Sequence, residues 1–540
     1  MKRSKYVRVG LAVLTTALLA LLAACGPAAS PAPAQPTSAP AAVVPQPTAP
    51  PAVKAPKPGG TLTIGTNQDQ LGLDPHTVNA TASFRILENI YSGLLKVNAK
   101  LEVQPDLAES YKVDSPTQYT FILRKGVKFH SGRELKAADI KYSIERIKNP
   151  DNKSPRANNF AAIDSIETPD DYTVVLKLKN PFSPLLAILA DRTTAIVAKE
   201  TVEANGGKLD KVANGTGPFK LKEYVQNTKT VIEKNPDYFI KGQPLLDQVI
   251  YQPIPDATAR STAVRTGTVD IIEYAPPKDL ELFKADSKLA IAGDGSNNNV
   301  RYLAFNNKVK PFDNPKVRQA IAWAVDRKAV IAAAENGAGK ELLAGPYLPS
   351  FWPGMQQPYF KQDLAKAKQL LAEAGYPNGF KAKLKNTPTY SFLGNAGIAV
   401  QDQLKAVGIE FEIISLEWSV FLNDYLVKKD YEAIVSGYSA FVDPHPPLDG
   451  TYVTGRQNNF MNYSNPKFDE LVAKAAQVSN QAERAKLYQE IQQILIDDSP
   501  MVFLFASNEY EVHQTYVKGY THYLNGSHVS LREVWLDKGQ

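Results

Sequence analysis

Cysteine is almost absent from this 540-residue chain: the one thiol is Cys25. A lone cysteine excludes an intramolecular disulfide framework and any paired-cysteine metal site. Histidine is nearly as scarce, with six residues at 76, 130, 445, 513, 522 and 528, and no His-Glu-x-x-His helix occurs. Nor is there a Gly-x-Ser-x-Gly turn to present a nucleophilic serine. The stretch NGAGKELL around Lys340 imitates part of a phosphate loop. It lacks the upstream glycine at the required spacing and has Glu341 where a magnesium-binding hydroxyl belongs, so it reads as a helix C-terminus and loop. Acidic residues are plentiful, yet no pair is marked out for general acid–base work. A net charge of +6, spread along the chain, gives no concentrated basic face and argues against nucleic acid as a partner. Catalysis and a bound cofactor therefore have no visible constellation.

What is present begins at the N-terminus. MKRSKYVRVG supplies a cationic segment, followed by the apolar run LAVLTTALLALLAA. That run is short for a membrane-spanning helix and reads as a secretory signal over residues 1–24. It ends Leu22-Ala23-Ala24-Cys25, which resembles a bacterial lipobox; the resemblance implies lipid attachment at Cys25, with an ordinary cleaved signal as the alternative. Residues 25–58 then form a tether of Pro, Ala, Thr, Ser and Val that cannot bury a core. In polyproline geometry it would reach up to ~100 Å. The expectation is an exported protein, lipid-anchored at the outer face of the bacterial cytoplasmic membrane.

From Gly59 onward the pattern is mixed α/β, with 44% hydrophobic and 21% charged residues in the chain, as suits a folded domain of more than one core. Tyr172, Val174, Leu176 and Leu178 alternate as a strand, as do Ile409, Phe411 and Ile413 against Glu410 and Glu412. Asn314-Pro315 and Asn465-Pro466 are helix starts, and Asp363 opens a helix closed by Gly375. The first is read as one long helix through DNPKVRQAIAWAVDRKAVIAAA, and another helix spans 481–497. Asp-Pro-His occurs at 74–76 and again at 443–445. A turn in which the carboxylate caps following amides is the simpler reading, with metal binding as the alternative. The stretch SGYSAFVDPHPPLDG, 436–450, carries Pro444, Pro446 and Pro447 and reads as a rigid non-helical loop.

Several stretches occur in one order: LDPHTVNATASFRILENIYSGLLKV, LEVQPDLAESYKV, YTFILRKGVKFHSGRELKAADIKYSIERI, GTGPFKLKEY, LAFNNKVKPFDNPKVRQAIAWAVDRKAVI and NYSNPKFDELVAKAA. As a set they resemble family 5 of the extracellular solute-binding proteins, the oligopeptide-, dipeptide- and nickel-binding components of ABC importers. The resemblance implies an α/β, two-lobed periplasmic-binding-protein fold with a hinge and an extra inserted domain (the three-domain, cluster C type). Carried onto this chain, lobe I would comprise 59–95, 200–295 and 511–540, the insert 96–199, and lobe II 296–510. Within the motifs, His130 and Asp139 read as turn and helix-surface groups and GTGPF as a glycine turn.

The same resemblance implies a ligand site in the cleft, with a Gly-Trp-x-Ala-Asp motif whose acid pairs with a peptide amine. Here GYSAFVDP matches it: Gly437 for the glycine, Tyr438 for the tryptophan, Ala440 for the alanine, and Phe441 where the acid should stand. Trp418 of LEW would be a second aromatic wall, Ser439 a polar neighbour, and Asp443 a nearby acid that is more simply matched to the family's downstream Asp-Pro. The expected ligand set is therefore Trp418, Tyr438, Ser439, Phe441 and Asp443. Three solutes stay open: a peptide held by backbone and pocket contacts, a neutral or stacking solute such as an oligosaccharide, and a metal chelate or haem. The implied partners are a small-molecule or short-peptide ligand and the permease and ATPase subunits of an importer, with the binding protein itself a monomer. A surface-tethered hydrolase or a signalling receptor is the alternative of a different class.

Overall fold

The strands that follow Gly59 gather into separate sheets according to what flanks them. The computed structural model describes residues 55–293, 299–357, 359–439 and 441–538. Cys25, the signal and nearly all of the tether lie outside these residues, as does Ala440. A seven-stranded sheet runs Leu289–Ala292, Glu511–Gln514, Ile271–Ile272, Thr61–Thr66, Gln248–Pro253, Lys229–Lys234, Phe219–Val225. Its centre is parallel, Thr61–Thr66 pairing both neighbours that way, and its flanks are antiparallel. A six-stranded sheet runs Gly339–Glu341, Met501–Ser507, Asn299–Phe305, Ala433–Tyr438, Phe380–Asn386, Ile409–Ser415. Each sheet is the floor of one lobe of a two-lobed α/β fold.

The central strands of the second lobe are mostly apolar, and every residue of Asn299–Phe305 and Met501–Ser507 is buried. Helices cover both faces, so these strands need no alternation. Edge and surface strands do alternate. Val174, Leu176 and Leu178 are buried in the strand Thr173–Leu178, and Ile409 and Phe411 are buried while Glu410 and Glu412 face solvent. Thr173–Leu178 belongs to a four-stranded antiparallel sheet of residues 108–178, on which the helix Ala137–Lys148 packs Ile140, Ile144 and Ile147. Each fully buried aliphatic side chain of this kind contributes about 1.5–3 kcal/mol relative to exposure.

Among the described residues, two pairs of consecutive strands pass from one lobe's sheet to the other's. The strand Leu289–Ala292 leads into Asn299–Phe305, and Met501–Ser507 leads into Glu511–Gln514. The crossing strands are neighbours in both sheets, since Ala292 pairs with Glu511 and Asn299 with Ser507. Paired crossings of this kind allow the lobes to rotate as bodies about a few residues.

Asn314 and Asn465 accept amides of their first turns, Lys316 N at 3.0 Å and Lys467 N at 2.9 Å. The long helix from Asn314 is two helices, Pro315–Ala324 and Arg327–Glu335; Asp326 breaks the run by capping Ala329 N at 3.2 Å. A capping side chain mid-pattern outweighs apolar periodicity. Lys340 lies in the short edge strand Gly339–Glu341 and not in a loop. Asp139 is buried, accepting the Lys136 amide at 2.9 Å and pairing with Arg133 at 2.7 Å. The glycines of GTGPF are there for close approach: a Cβ on Gly215 would lie 2.1 Å from the Ile90 carbonyl oxygen.

Candidate functional site

Both Asp-Pro-His stretches fold as the turn reading expects, and they do so in the same way. The carboxylate of Asp74 accepts the His76 amide at 3.0 Å, and that of Asp443 accepts the His445 amide at 2.9 Å. Each then receives a bidentate guanidinium. Arg146 donates to Asp74 at 3.0 and 2.5 Å, and Arg484 donates to Asp443 at 2.8 and 2.9 Å. All four side chains are buried. His76 donates from Nε2 to the Ala195 carbonyl and accepts at Nδ1 from Arg146, and burial pushes its imidazole down to about 4. His445 packs its ring edge against Phe182 at 5.3 Å, and burial lowers it too. The histidines are thus neutral wedges beside ion pairs.

After the second turn the chain departs from the loop reading: residues His445–Tyr452 form a helix. Pro446 and Pro447 stand in its first turn, where an amide has no intrahelical acceptor and the fixed φ suits a helix start. The prolines that suggested a loop are helix initiators. Their helix stands at the wall of a cavity of about 310 Å³ between the lobes.

The cavity collects the expected residues and several others. Trp418, Tyr438, Ser439, Phe441 and Asp443 all line it. Tyr438 and Phe441 lie 5.7 Å apart, and Trp418 meets Tyr390 edge-on at 4.9 Å. Both Asp443 oxygens are engaged by Arg484, so its carboxylate braces the wall from within the lobe. Facing them across the cleft are Thr81 and Phe84 of the helix Thr81–Ile90, with Arg156 and Arg192 each centred 5.3 Å from the Phe84 ring. Thr81 and Ser439 hydroxyls approach to 3.4 Å, and Gln68 donates to the Tyr390 hydroxyl at 2.8 Å. Ser183 donates to the Ala476 carbonyl at 2.8 Å, tying the four-stranded sheet's neighbourhood to the second lobe. A few polar contacts of this strength join the two walls without locking them together.

Sequence reasoning missed Arg301, Tyr390, Phe392 and the hinge acids. Arg301 is 7% exposed and lies over the Phe392 ring at 4.5 Å. An arginine inside the mostly apolar strand NVRYLAF was the available signal. It stands opposite Gly437 in the register, and a Cβ on Gly437 would meet the Arg301 Nη1 at 2.7 Å and the Val300 carbonyl oxygen at 2.5 Å. The motif glycine is therefore needed for room. At the hinge, Glu509 pairs with Arg85 at 2.6 Å and accepts from Asn299 at 2.8 Å; Arg85 also pairs with Glu273. Against the cost of burial, Arg85 holds Glu509 below the usual carboxylate range. Glu335 accepts from the Ser507 hydroxyl and from the Asn508 amide at 3.3 Å, and burial pushes its carboxyl up to about 8.

Residues 102–460 match the family described as bacterial extracellular solute-binding proteins, family 5 Middle. The chain belongs to this family. It is 31% identical over 458 residues to the glutathione-binding protein GsiB of Salmonella typhimurium, covering 83% of this chain and 89% of the relative. With the oligopeptide-binding protein AppA of Bacillus subtilis it shares 31% over 506 residues, 89% of this chain and 92% of that one. Among solved structures, AppA of B. subtilis in complex with a nonapeptide superposes with a TM-score of 0.83 at 29% identity, covering 90% of this chain and 100% of the other. The PBP AgaA of A. tumefaciens in complex with agropinic acid gives 0.83 at 32% identity, covering 89% and 99%. The family 5 member described here thus has the two-lobed architecture of proteins solved with quite different ligands in place.

Proposed function

We propose that this family 5 protein captures a solute in its inter-lobe cavity and delivers it to the permease of an ABC importer, acting by binding and without turnover. The observation that carries the reading is the cavity itself, walled by both lobes beside a paired-strand hinge. A ligand touching both walls stabilises the closed form, and the permease would read that form. Peptide or peptide-like solutes suit the cavity best. The ligands for which the relatives are named, oligopeptide and glutathione, support this, and agropinic acid marks the alternative of a small organic solute. Trp418, Tyr438, Ser439 and Phe441 are the proposed contacts, with Asp443 shaping the wall through Arg484. Lipid attachment at Cys25 would hold the protein at the outer membrane face, with the Pro-rich segment as tether.

Small-angle scattering of the full chain tests the mechanism. Saturating ligand should compact the particle, and an unchanged radius of gyration with every ligand that binds would refute hinge closure. Cys25→Ser should release the protein from membranes; retention after a high-salt wash would refute the anchor.

A further inference from the structure

Among the described residues, the acids that line the cavity are occupied, whereas the Arg301 guanidinium is not. Asp443 is held by Arg484, and Glu509 by Arg85 and Asn299. Asp191 accepts the Thr193 amide at 2.9 Å and stands beside Arg156 and Arg192, two positive charges to its one. Arg301 forms no ion pair among the described residues. Its one hydrogen bond is a long contact of 3.4 Å to the Val300 carbonyl, and its Nε has no partner. Glu335 and Glu509 feel its charge from the hinge side without an ion pair to it; burial pushes the Glu335 carboxyl up to about 8, and Glu509 is engaged by Arg85. A buried arginine with no ion pair, lining a cavity, is costly to keep unless something in that cavity meets it. Gly437 keeps the space that lets the guanidinium stay there, and Phe392 supports one face. Tyr438 and Phe441 add neutral aromatic walls and no carboxylate for a cation.

We propose that the solute carries a carboxylate and that Arg301 is the residue that pairs with it. This deepens the binding role above and rests on it. The planar fork of arginine matches a carboxylate by two parallel charge-assisted bonds, a geometry that lysine does not reproduce. Two sources share this chemistry: the carboxylate of a short peptide and that of a small organic acid.

Calorimetry on the full chain, with matched probes, tests the assignment. Trialanine is compared with trialaninamide and N-acetyltrialanine, and glutarate with glutaramide. At least one free acid should bind about tenfold or more tightly than its amide. The peptide pair responding alone identifies a peptide carboxylate, and the glutarate pair responding alone identifies an organic acid. If trialanine binds, N-acetylation should change its affinity by less than about threefold, because no acid is free for the amine. Arg301→Gln should erase the acid preference, and Arg301→Lys should reduce it several-fold. Should Arg301→Gln fail to fold by circular dichroism, the lysine variant decides: an undiminished preference overturns the proposal. It is equally overturned if no acid outbinds its amide, or if folded Arg301→Gln keeps the preference. Compaction in scattering with an amide or a cation would leave the transport role standing and remove Arg301 from it.

Discussion

Asp443→Ala separates a wall-bracing acid from a ligand contact. The substitution takes two charge-assisted bonds of 2.8 and 2.9 Å from Arg484 and one acceptor from the His445 amide. Arg484 would keep only the Tyr488 hydroxyl at 2.9 Å and the Ala475 carbonyl at 3.1 Å, both neutral, while its exposure is 6%. Removing one partner of a buried ion pair costs about 3–5 kcal/mol, because the other charge stays buried and uncompensated. Asp443→Ala with Arg484→Met removes both charges and should recover most of that loss. Urea unfolding followed by tryptophan fluorescence is a suitable assay, since Arg484 lies over the Trp352 ring at 5.4 Å. Asp74→Ala is the internal control: it has the same geometry with Arg146, and neither residue lines the cavity, so stability should fall equally with no direct ligand effect. The reasoning fails if Asp443→Ala costs less than about 1 kcal/mol while ligand affinity collapses. In that case the acid serves the ligand and not the wall.

Three further predictions concern the hinge and the cavity. Glu335 has a folded value near 8 against an ordinary 4.5, so the native state holds a proton that the unfolded chain has lost between those values. Stability should therefore fall by about 1.4 kcal/mol per pH unit through this window and level off above it. His76 and His130, pushed down to about 4, act in the opposite direction but only below their unfolded value of 6.5. Against the cost of burial, Glu511 holds His522 above its ordinary value, so it too loses stability as pH rises past 6.5. The carboxyl is therefore read by comparing melts from pH 6.5 to 8: Glu335→Gln should make the slope shallower, and an identical slope in both proteins would count against it. Gly437→Ala should cost about 1–3 kcal/mol by overpacking, since its Cβ meets the Val300 carbonyl, and should weaken ligand binding by displacing Arg301. Unchanged melting and affinity would show that the strands yield freely. Phe441→Asp should raise affinity for free-amine peptides and weaken the native ligand; calorimetry showing neither would mean that Phe441 only packs on Tyr438.

Much of the local structure was legible because its causes are local. Asn314, Asp363 and Asn465 cap helices through bonds that span two or three residues. Period-two burial in Thr173–Leu178 and Ile409–Ser415 follows from strand geometry. The errors came from signals with two meanings. Proline stops a helix in its interior and starts one in its first turn, and only the Asp443 turn that precedes Pro446 settles which applies. Likewise Asp326 looked like one polar residue in a helical pattern, yet its side chain ends one helix and begins another.

By itself the sequence determined the α/β class, the family motifs, the aromatic and glycine character of 437–441, and the two Asp-Pro turns. Tertiary structure alone decided which charges are spent. Arg484 is 41 residues from Asp443 and Arg146 is 72 from Asp74, and no periodicity links them. Arg301 and Gly437 meet because two strands distant in sequence share a register. Whether a charge is available to a ligand depends on what packs against it in three dimensions, and pairing energies inside a low-dielectric interior are too large to be read from composition.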